Sequence, residues 1–286
     1  MYPILFEFPD WLPLLGGQPV TSFGVMMFFA FVTAGVVLRK ELTRMGYEGD
    51  KAWDFVFMAV VGGILGGKIY YVFLNYPRLA TEGWSFFFDR GGMVWYGGFL
   101  GAAALVLWEA RRSAIPGARV ADGSAPALAL AYAVGRIGCF LVGDDWGRPT
   151  DSWVGMRFPD GMIPTRVDVI ERFGISVDPA LVERYGTVVP VHPTQLYEVA
   201  LSTLIFVLLW RLRGRDRGAG WLIMLWLSLA GAERFVVEIF RAKDDRFFGA
   251  LTLAQVISIA LIAVGIFGMK RISQRAGGAR PASATG

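Results

Sequence analysis

The sequence has one cysteine, Cys139, and one histidine, His192, in 286 residues. A single cysteine excludes a disulfide within the chain. One histidine with one cysteine excludes a His/Cys metal cluster built by a single chain. Charge is sparse, with Asp, Glu, Lys and Arg at 18%, below the roughly 25% of ordinary soluble domains. No internal repeat and no inverted pair of broken helices is visible, which argues against a solenoid or a repeat-built transporter. The first long apolar run has the length of a membrane span and lacks a small-residue cleavage pattern at its end, so no cleavable leader is expected.

What the chain has in abundance is apolar surface. Hydrophobic residues make up 55% of it and the mean hydropathy is +0.48, too apolar for a soluble domain of this size. Glycine is high at 36, as expected where helices pack closely in lipid. The net charge is +4. In a soluble chain that would suggest nucleic acid, but here the basic residues fall in short loops, where they set topology, and no nucleic-acid partner is expected. The fold class is therefore an all-α polytopic membrane protein of about seven transmembrane helices.

Residues 1–18 mix aromatics, prolines and two acids and read as an interfacial segment. Spans are expected at about 20–38, 53–75, 93–110, 121–141, 192–210, 219–240 and 252–269. The second carries Gly62/Gly66 and Gly63/Gly67, two small-xxx-small pairs suited to tight helix contact. An aromatic loop at 76–92 and a short loop at 241–246 are expected outside. Residues 142–191 are polar, proline-containing and too long for a turn, and are expected to form a small external head. The segments assigned to the cytoplasm hold 15 Lys and Arg, and the short outer segments hold 5. That bias puts the N-terminus outside and the C-terminus in the cytoplasm. Residues 1–272 are expected to form one integral membrane domain and 273–286 a disordered cytoplasmic tail.

The stretch that organises the chain is Gly135-Arg136-Ile137-Gly138-Cys139-Phe140-Leu141-Val142-Gly143-Asp144-Asp145-Trp146-Gly147. An arginine inside an apolar run costs roughly 2.5–3.5 kcal/mol on insertion scales, so it implies function or a buried structural ion pair. Arg136 lies about 5 residues from the outer end of its span, roughly 7–8 Å deep at 1.5 Å per residue. Arg234 and Lys68 lie at similar depth. Tyr96, Gly97 and Gly98 open the third span, and His192, Gln195, Tyr197 and Glu198 open the fifth. Polar groups from five spans thus converge on the outer leaflet, and the inner halves read as nearly pure hydrocarbon. Glu238, four residues after Arg234, can neutralise and orient it. Two buried arginines with few intramembrane acids suggest an anion, and a guanidinium fork suits phosphate. At an outer leaflet that means a phospholipid headgroup. His192 reads as a helix-start residue or a catalyst, and Cys139 as a small packing residue or a nucleophile.

At these residues the chain resembles the prolipoprotein diacylglyceryl transferases of bacterial inner membranes, over nearly its whole length. GRIGCFLVGDDWG resembles the family signature, and HPTQLYE, ERFVVEIFRAKDD and LTLAQ resemble further family motifs. The resemblance implies transfer of the diacylglyceryl group of phosphatidylglycerol to the lipobox cysteine thiol of a prelipoprotein signal peptide, with a thioether formed and glycerol phosphate released. It implies a multi-pass protein of the inner membrane whose site faces the outer leaflet, with no metal or cofactor. It implies catalytic roles for Tyr96, Arg234 and His192. Substrate binding falls to Arg136, Arg234, Gly97, Gly98, Asp144, Glu198 and Glu238.

The chain departs from the family pattern in five places. Tyr96 stands where the family has the histidine proposed to help activate the thiol. Cys139 replaces asparagine and Asp144 replaces glutamate in the signature. Phe23 replaces an aromatic hydroxyl, and Val191 a basic residue before His-Pro. These departures keep two other readings open: a paralogue that binds lipid or lipoprotein without turnover, and a membrane transporter.

Overall fold

The computed structural model describes residues 1–13, 16–78, 83, 92–215, 217–242, 246–248 and 250–278. In chain order the elements are strands β1 (Ile4–Glu7) and β2 (Pro19–Thr21), then helices α1 (Ser22–Arg44), α2 (Lys51–Leu74), α3 (Trp95–Arg112) and α4 (Gly117–Val142). Two short helices follow, α5 (Val167–Arg172) and α6 (Pro179–Tyr185), then α7 (Thr194–Leu212), α8 (Trp221–Glu238), strands β3 (Arg246–Phe248) and β4 (Leu251–Thr252), and α9 (Leu253–Gly278). Most of the loop expected at 76–92, three residues of the loop after Arg241, and the last eight residues of the tail lie outside the described residues.

Among the described residues five helices are long and apolar enough to cross a membrane: α1, α2, α4, α7 and α9. Helices α3 and α8 occupy two further expected spans, but each carries three charged residues: Glu109, Arg111 and Arg112 in α3, and Glu233, Arg234 and Glu238 in α8. Helices α1 and α9 run past their expected ends, to Arg44 and Gly278. The basic residues that mark those ends continue the helix, because cations are favourable beside C-terminal carbonyls.

The chain divides into two compact units, Met1–Thr33 with Ala125–Gly286, and Ala34–Ser124. In the second unit α2 and α3 meet along their glycines. A Cβ on Gly66 would lie 2.9 Å from the Gly101 Cα, and one on Gly98 would lie 3.1 Å from the Gly63 carbonyl oxygen. Gly62 and Gly101 face each other in the same way, as do Gly66 and Gly97. Backbone-to-backbone approach of this kind is how helices gain contact where no hydrophobic drive separates them from lipid. The C-terminal ends of α1 and α3 are not purely apolar. Glu41 and Glu109 are buried, but each is neutralised locally, Glu41 by Arg44 at 2.8 Å and Glu109 by Arg112 at 3.7 Å.

In the first unit β1 and β2 form an antiparallel hairpin over the expected interfacial segment, with Ile4, Leu5 and Phe6 exposed. Helix α8 packs between α7 and α9, and Ala125, Ala129, Ile205, Leu209 and Leu222 join α4 to α7 and α8. Between α4 and α7 the chain builds the head, whose core is Trp146, Phe158, Ile170, Leu181, Val189 and Val191. Trp146 donates its indole N–H to the Ile163 carbonyl at 2.7 Å, satisfying the polar end of an otherwise buried ring. Asp178 caps α6 by accepting from the Ala180 N–H, with Pro179 at the first helical position.

Candidate functional site

The site is built where α4 ends. Gly143 takes a left-handed conformation, φ 74°, and its N–H returns to the Cys139 carbonyl at 2.9 Å, closing the helix as a glycine cap does. A Cβ there would lie 2.7 Å from the Gly161 Cα. Asp145 is also left-handed, φ 60°, which few non-glycine residues tolerate. The turn is held from two sides. Trp146 is anchored in the head core, while Thr194 and Gln195 at the start of α7 donate to the carbonyls of Asp145, at 2.8 Å, and Asp144. Gly147 then passes so close to His192 and Thr194 that a Cβ would reach within 2.8 Å of the Thr194 methyl. The signature glycines, aromatic and polar residues therefore serve one end: they fold the Asp144–Asp145 turn back over the head end of α4.

Three arginines meet there. Arg136 donates through Nη1 to Asp145 Oδ2 at 2.8 Å and contacts the Cys139 sulfur at 3.3 Å, and its Nη2 pairs with Glu198. Arg241 reaches both oxygens of Asp145, at 2.5 and 3.2 Å, and lies 3.7 Å from Glu238. Glu238 pairs with Arg234 at 2.6 Å and accepts from the Thr252 hydroxyl at 3.1 Å. Glu198 also accepts from the Tyr132 hydroxyl at 2.8 Å. One connected chain of charge thus runs from Tyr132 through Glu198, Arg136, Asp145, Arg241 and Glu238 to Arg234. Deeper still, Ser202 donates to Glu233.

This network corrects one premise of the sequence reading. Arg136 has two acidic partners, because the left-handed turn carries Asp145 back to it and α7 presents Glu198. Yet the network is not closed. Among the described residues Nη1 of Arg234 and Nε of Arg136 are buried without a hydrogen-bond partner, as is Oδ1 of Asp144. Leaving charged donors unpaired in a buried place is costly, so these atoms are the ones an added anion could satisfy. Buried ion pairs offset their own desolvation poorly, which is a further reason not to read the arrangement as a mere stabilising device.

Electrostatics separates the two acids of the turn. The guanidinium groups of Arg241 and Arg136 overcome the burial of Asp145 and hold its carboxyl down to about 2. Burial first, and then the charge of Asp145, push Asp144 above the usual carboxylate range. Burial pushes the His192 imidazole below its ordinary value and so favours the neutral ring. Its Nδ1 lies 2.9 Å from the Tyr197 hydroxyl, and its ring lies 5.1 Å from that of Phe240.

Of the expected site residues, Arg136, Glu198, Arg234 and Glu238 belong to the charge network. Asp144 lies in the turn beside it. His192 sits at its margin, its carbonyl accepting from the Gly147 N–H at 2.8 Å where Gly147 bridges Arg241. Tyr96, Gly97 and Gly98 belong to the other unit, where Gly97 and Gly98 pack against α2 and Tyr96 is 54% exposed. Lys68, also in that unit, lies over the Tyr71 ring. Sequence reasoning assigned no role to Asp145, Tyr132, Ser202 or Glu233, and placed Arg241 at the start of an outer loop. The available signals were the Asp-Asp doublet after a glycine cap and the seven-residue spacing from Arg234 to Arg241.

A family model described as prolipoprotein diacylglyceryl transferase matches residues 9–271. The chain is also similar to proteins named phosphatidylglycerol–prolipoprotein diacylglyceryl transferase. That of Burkholderia thailandensis is 33% identical over 292 residues, covering 94% of this chain and 96% of the relative. That of Nitrosomonas europaea is 32% identical over 267 residues, covering 88% and 85%. That of Clostridium tetani is 28% identical over 270 residues, covering 93% and 96%.

Proposed function

The chain belongs to the prolipoprotein diacylglyceryl transferase family, and from that premise we propose that it transfers the diacylglyceryl group of phosphatidylglycerol to the lipobox cysteine thiol of a prelipoprotein. The thiolate sulfur attacks the glycerol carbon that bears the phosphate. The carbon–oxygen bond breaks, a thioether forms, and glycerol phosphate leaves with the phosphate charge. Arg136 and Arg234 hold that phosphate and take up the charge that grows on the leaving oxygen, as preorganised cations do in a site closed to water. Glu198 and Glu238 fix the two guanidinium groups, and Asp144 lies beside the headgroup. The single observation that carries this reading is the buried Nη1 of Arg234, without a hydrogen-bond partner among the described residues, in a network of three arginines.

The thiol proton goes to a base, since the thiolate is the nucleophile. Tyr96 takes this role at the start of α3, and His192, whose burial favours the neutral imidazole, is the rival. In the membrane, α3 and α8 complete seven spans with the five apolar helices. Each has 18 residues, about 27 Å at 1.5 Å per residue, close to the roughly 30 Å hydrocarbon core. The N-terminus and the head at 142–191 lie outside, the C-terminus lies in the cytoplasm, and the site faces the outer leaflet of the inner membrane. The 15-to-5 charge bias supports that orientation.

The test is complementation of a strain depleted of its own diacylglyceryl transferase. The wild-type chain rescues growth and lipoprotein modification, and Arg136→Ala, inserted to the same level, does not. A well-inserted wild-type chain that fails to rescue contradicts the reading.

A further inference from the structure

The three carboxylates of the charge network differ in one respect. Glu198 and Glu238 are sealed, their side chains 3% and 2% exposed, whereas that of Asp145 is 34% exposed. Asp145 is also the acid that spans two arginines with both of its oxygens, Oδ1 to Arg241 and Oδ2 to Arg136 and Arg241. Two guanidinium groups converging on two oxygens of one anion, Arg241 as a fork and Arg136 through one N–H, is an arrangement that suits a phosphate. We propose that Asp145 is a resident counter-ion of the anion site, occupying the place of a phosphate between Arg136 and Arg241 until the incoming headgroup displaces it. Arg241 thereby becomes a third arginine that binds substrate. The proposal rests on the transferase reading for the identity of the phosphate as a lipid headgroup.

The local chemistry suits a side chain that swings while its backbone stays. The Asp145 carbonyl is held by Thr194, and Trp146 is locked in the head core, so the turn is pinned on both sides. Release needs only rotation of the Asp145 side chain toward its exposed side. Arg136 keeps Glu198 and Arg241 keeps Glu238 when Asp145 leaves, so neither arginine is stranded. The carboxyl is held down to about 2 between the arginines, and a freed aspartate, at about 4, is ionised at neutral pH as well. A site plugged about nine-tenths of the time binds its ligand about tenfold more weakly than an open one.

The test compares Asp145→Asn with Asp151→Asn, which removes one charge from an exposed head pair, Asp151 with Arg184. Transfer rates are measured against the mole fraction of phosphatidylglycerol in vesicles, and binding of free glycerol phosphate to the detergent-solubilised protein is measured by calorimetry. Asp145→Asn is expected to lower KM for the lipid about tenfold and to tighten glycerol phosphate to a similar degree, and Asp151→Asn is expected to move neither. A tightening seen for the free ester and not for the vesicle lipid would mean that the plug guards only the product site, and would overturn the claim for the substrate headgroup. Unchanged or weaker binding in both arms overturns it entirely. Should Asp145→Asn not fold, carbodiimide labelling of wild-type Asp145, mapped by mass spectrometry, decides. Labelling should rise several-fold when glycerol phosphate binds, and constant or falling labelling refutes displacement. Tighter glycerol phosphate binding by Asp145→Asn, with no transfer by the wild-type protein, removes the transferase reading and keeps the role of Asp145. Transfer with an unshifted KM in Asp145→Asn does the reverse.

Discussion

Replacing Arg136 by lysine keeps the charge and removes the fork. In the native site Nη1 serves Asp145 at 2.8 Å while Nη2 serves Glu198, on two sides of one planar group. A lysine ammonium is a single point on a flexible stem and cannot hold Glu198 on one side and an anion, Asp145 or the phosphate, on the other. At least one hydrogen bond to a charged group is lost, worth about 1.5–3 kcal/mol. If that loss is felt in the transition state, kcat/KM falls about 10- to 150-fold. The assay is transfer from phosphatidylglycerol vesicles to a lipobox peptide, with thermal unfolding in detergent run in parallel. Because the charge is kept, Glu198 is not left buried opposite nothing, and the unfolding midpoint should move far less than in Arg136→Ala. An Arg136→Lys enzyme within about twofold of wild type would refute the requirement for a bidentate group, since the expected loss is at least tenfold.

Tyr96→Phe should lower the transfer rate by about 10²-fold, the scale of a positioned proton-transfer group, and Tyr96→His should restore it. A wild-type rate in Tyr96→Phe moves the base to His192. Single engineered cysteines in a Cys139→Ser background should react with an impermeant outside reagent within the head at 142–191 and not at 213, and labelling at 213 would invert the topology. Asp145 is depressed in the folded state, so its contribution is present above its unfolded value near 4 and is lost as pH falls toward about 2. The unfolding midpoint of the wild type should therefore drop more steeply across that window than that of Asp145→Asn, and parallel curves would refute the coupling.

The long helices were legible because their outer and inner faces are both apolar, so sheer apolar length rather than 3.6-residue periodicity carries the signal. Their ends were not, because in α1 and α9 the basic residues that mark the boundary are good helix formers that also favour the C-terminal dipole. The glycine pairs of α2 announced a close helix contact, but their partner did not. Nothing in the spacing of Gly97 and Gly101 in α3 tells that they meet Gly66 and Gly62. Arg136, Glu198, Arg234 and Glu238 stood out as charges in apolar runs. Asp145 did not, because its role depends on a positive φ set by the glycine cap before it and the tryptophan anchor after it. The interior of the head was hidden for a related reason. Its core is assembled from short, non-periodic pieces, with Met156 bridging Val191 and Arg166 bridging Val188 across the chain.

The most direct test of the account is chemical. The purified protein, phosphatidylglycerol vesicles and a lipobox peptide are incubated together, and the peptide mass and the released phosphate ester are measured in one reaction. The account predicts a mass gain of one diacylglyceryl group on the cysteine sulfur, stable to base hydrolysis of the thioether link, with one glycerol phosphate released per peptide modified. An unmodified peptide, or modification without release of glycerol phosphate, contradicts it.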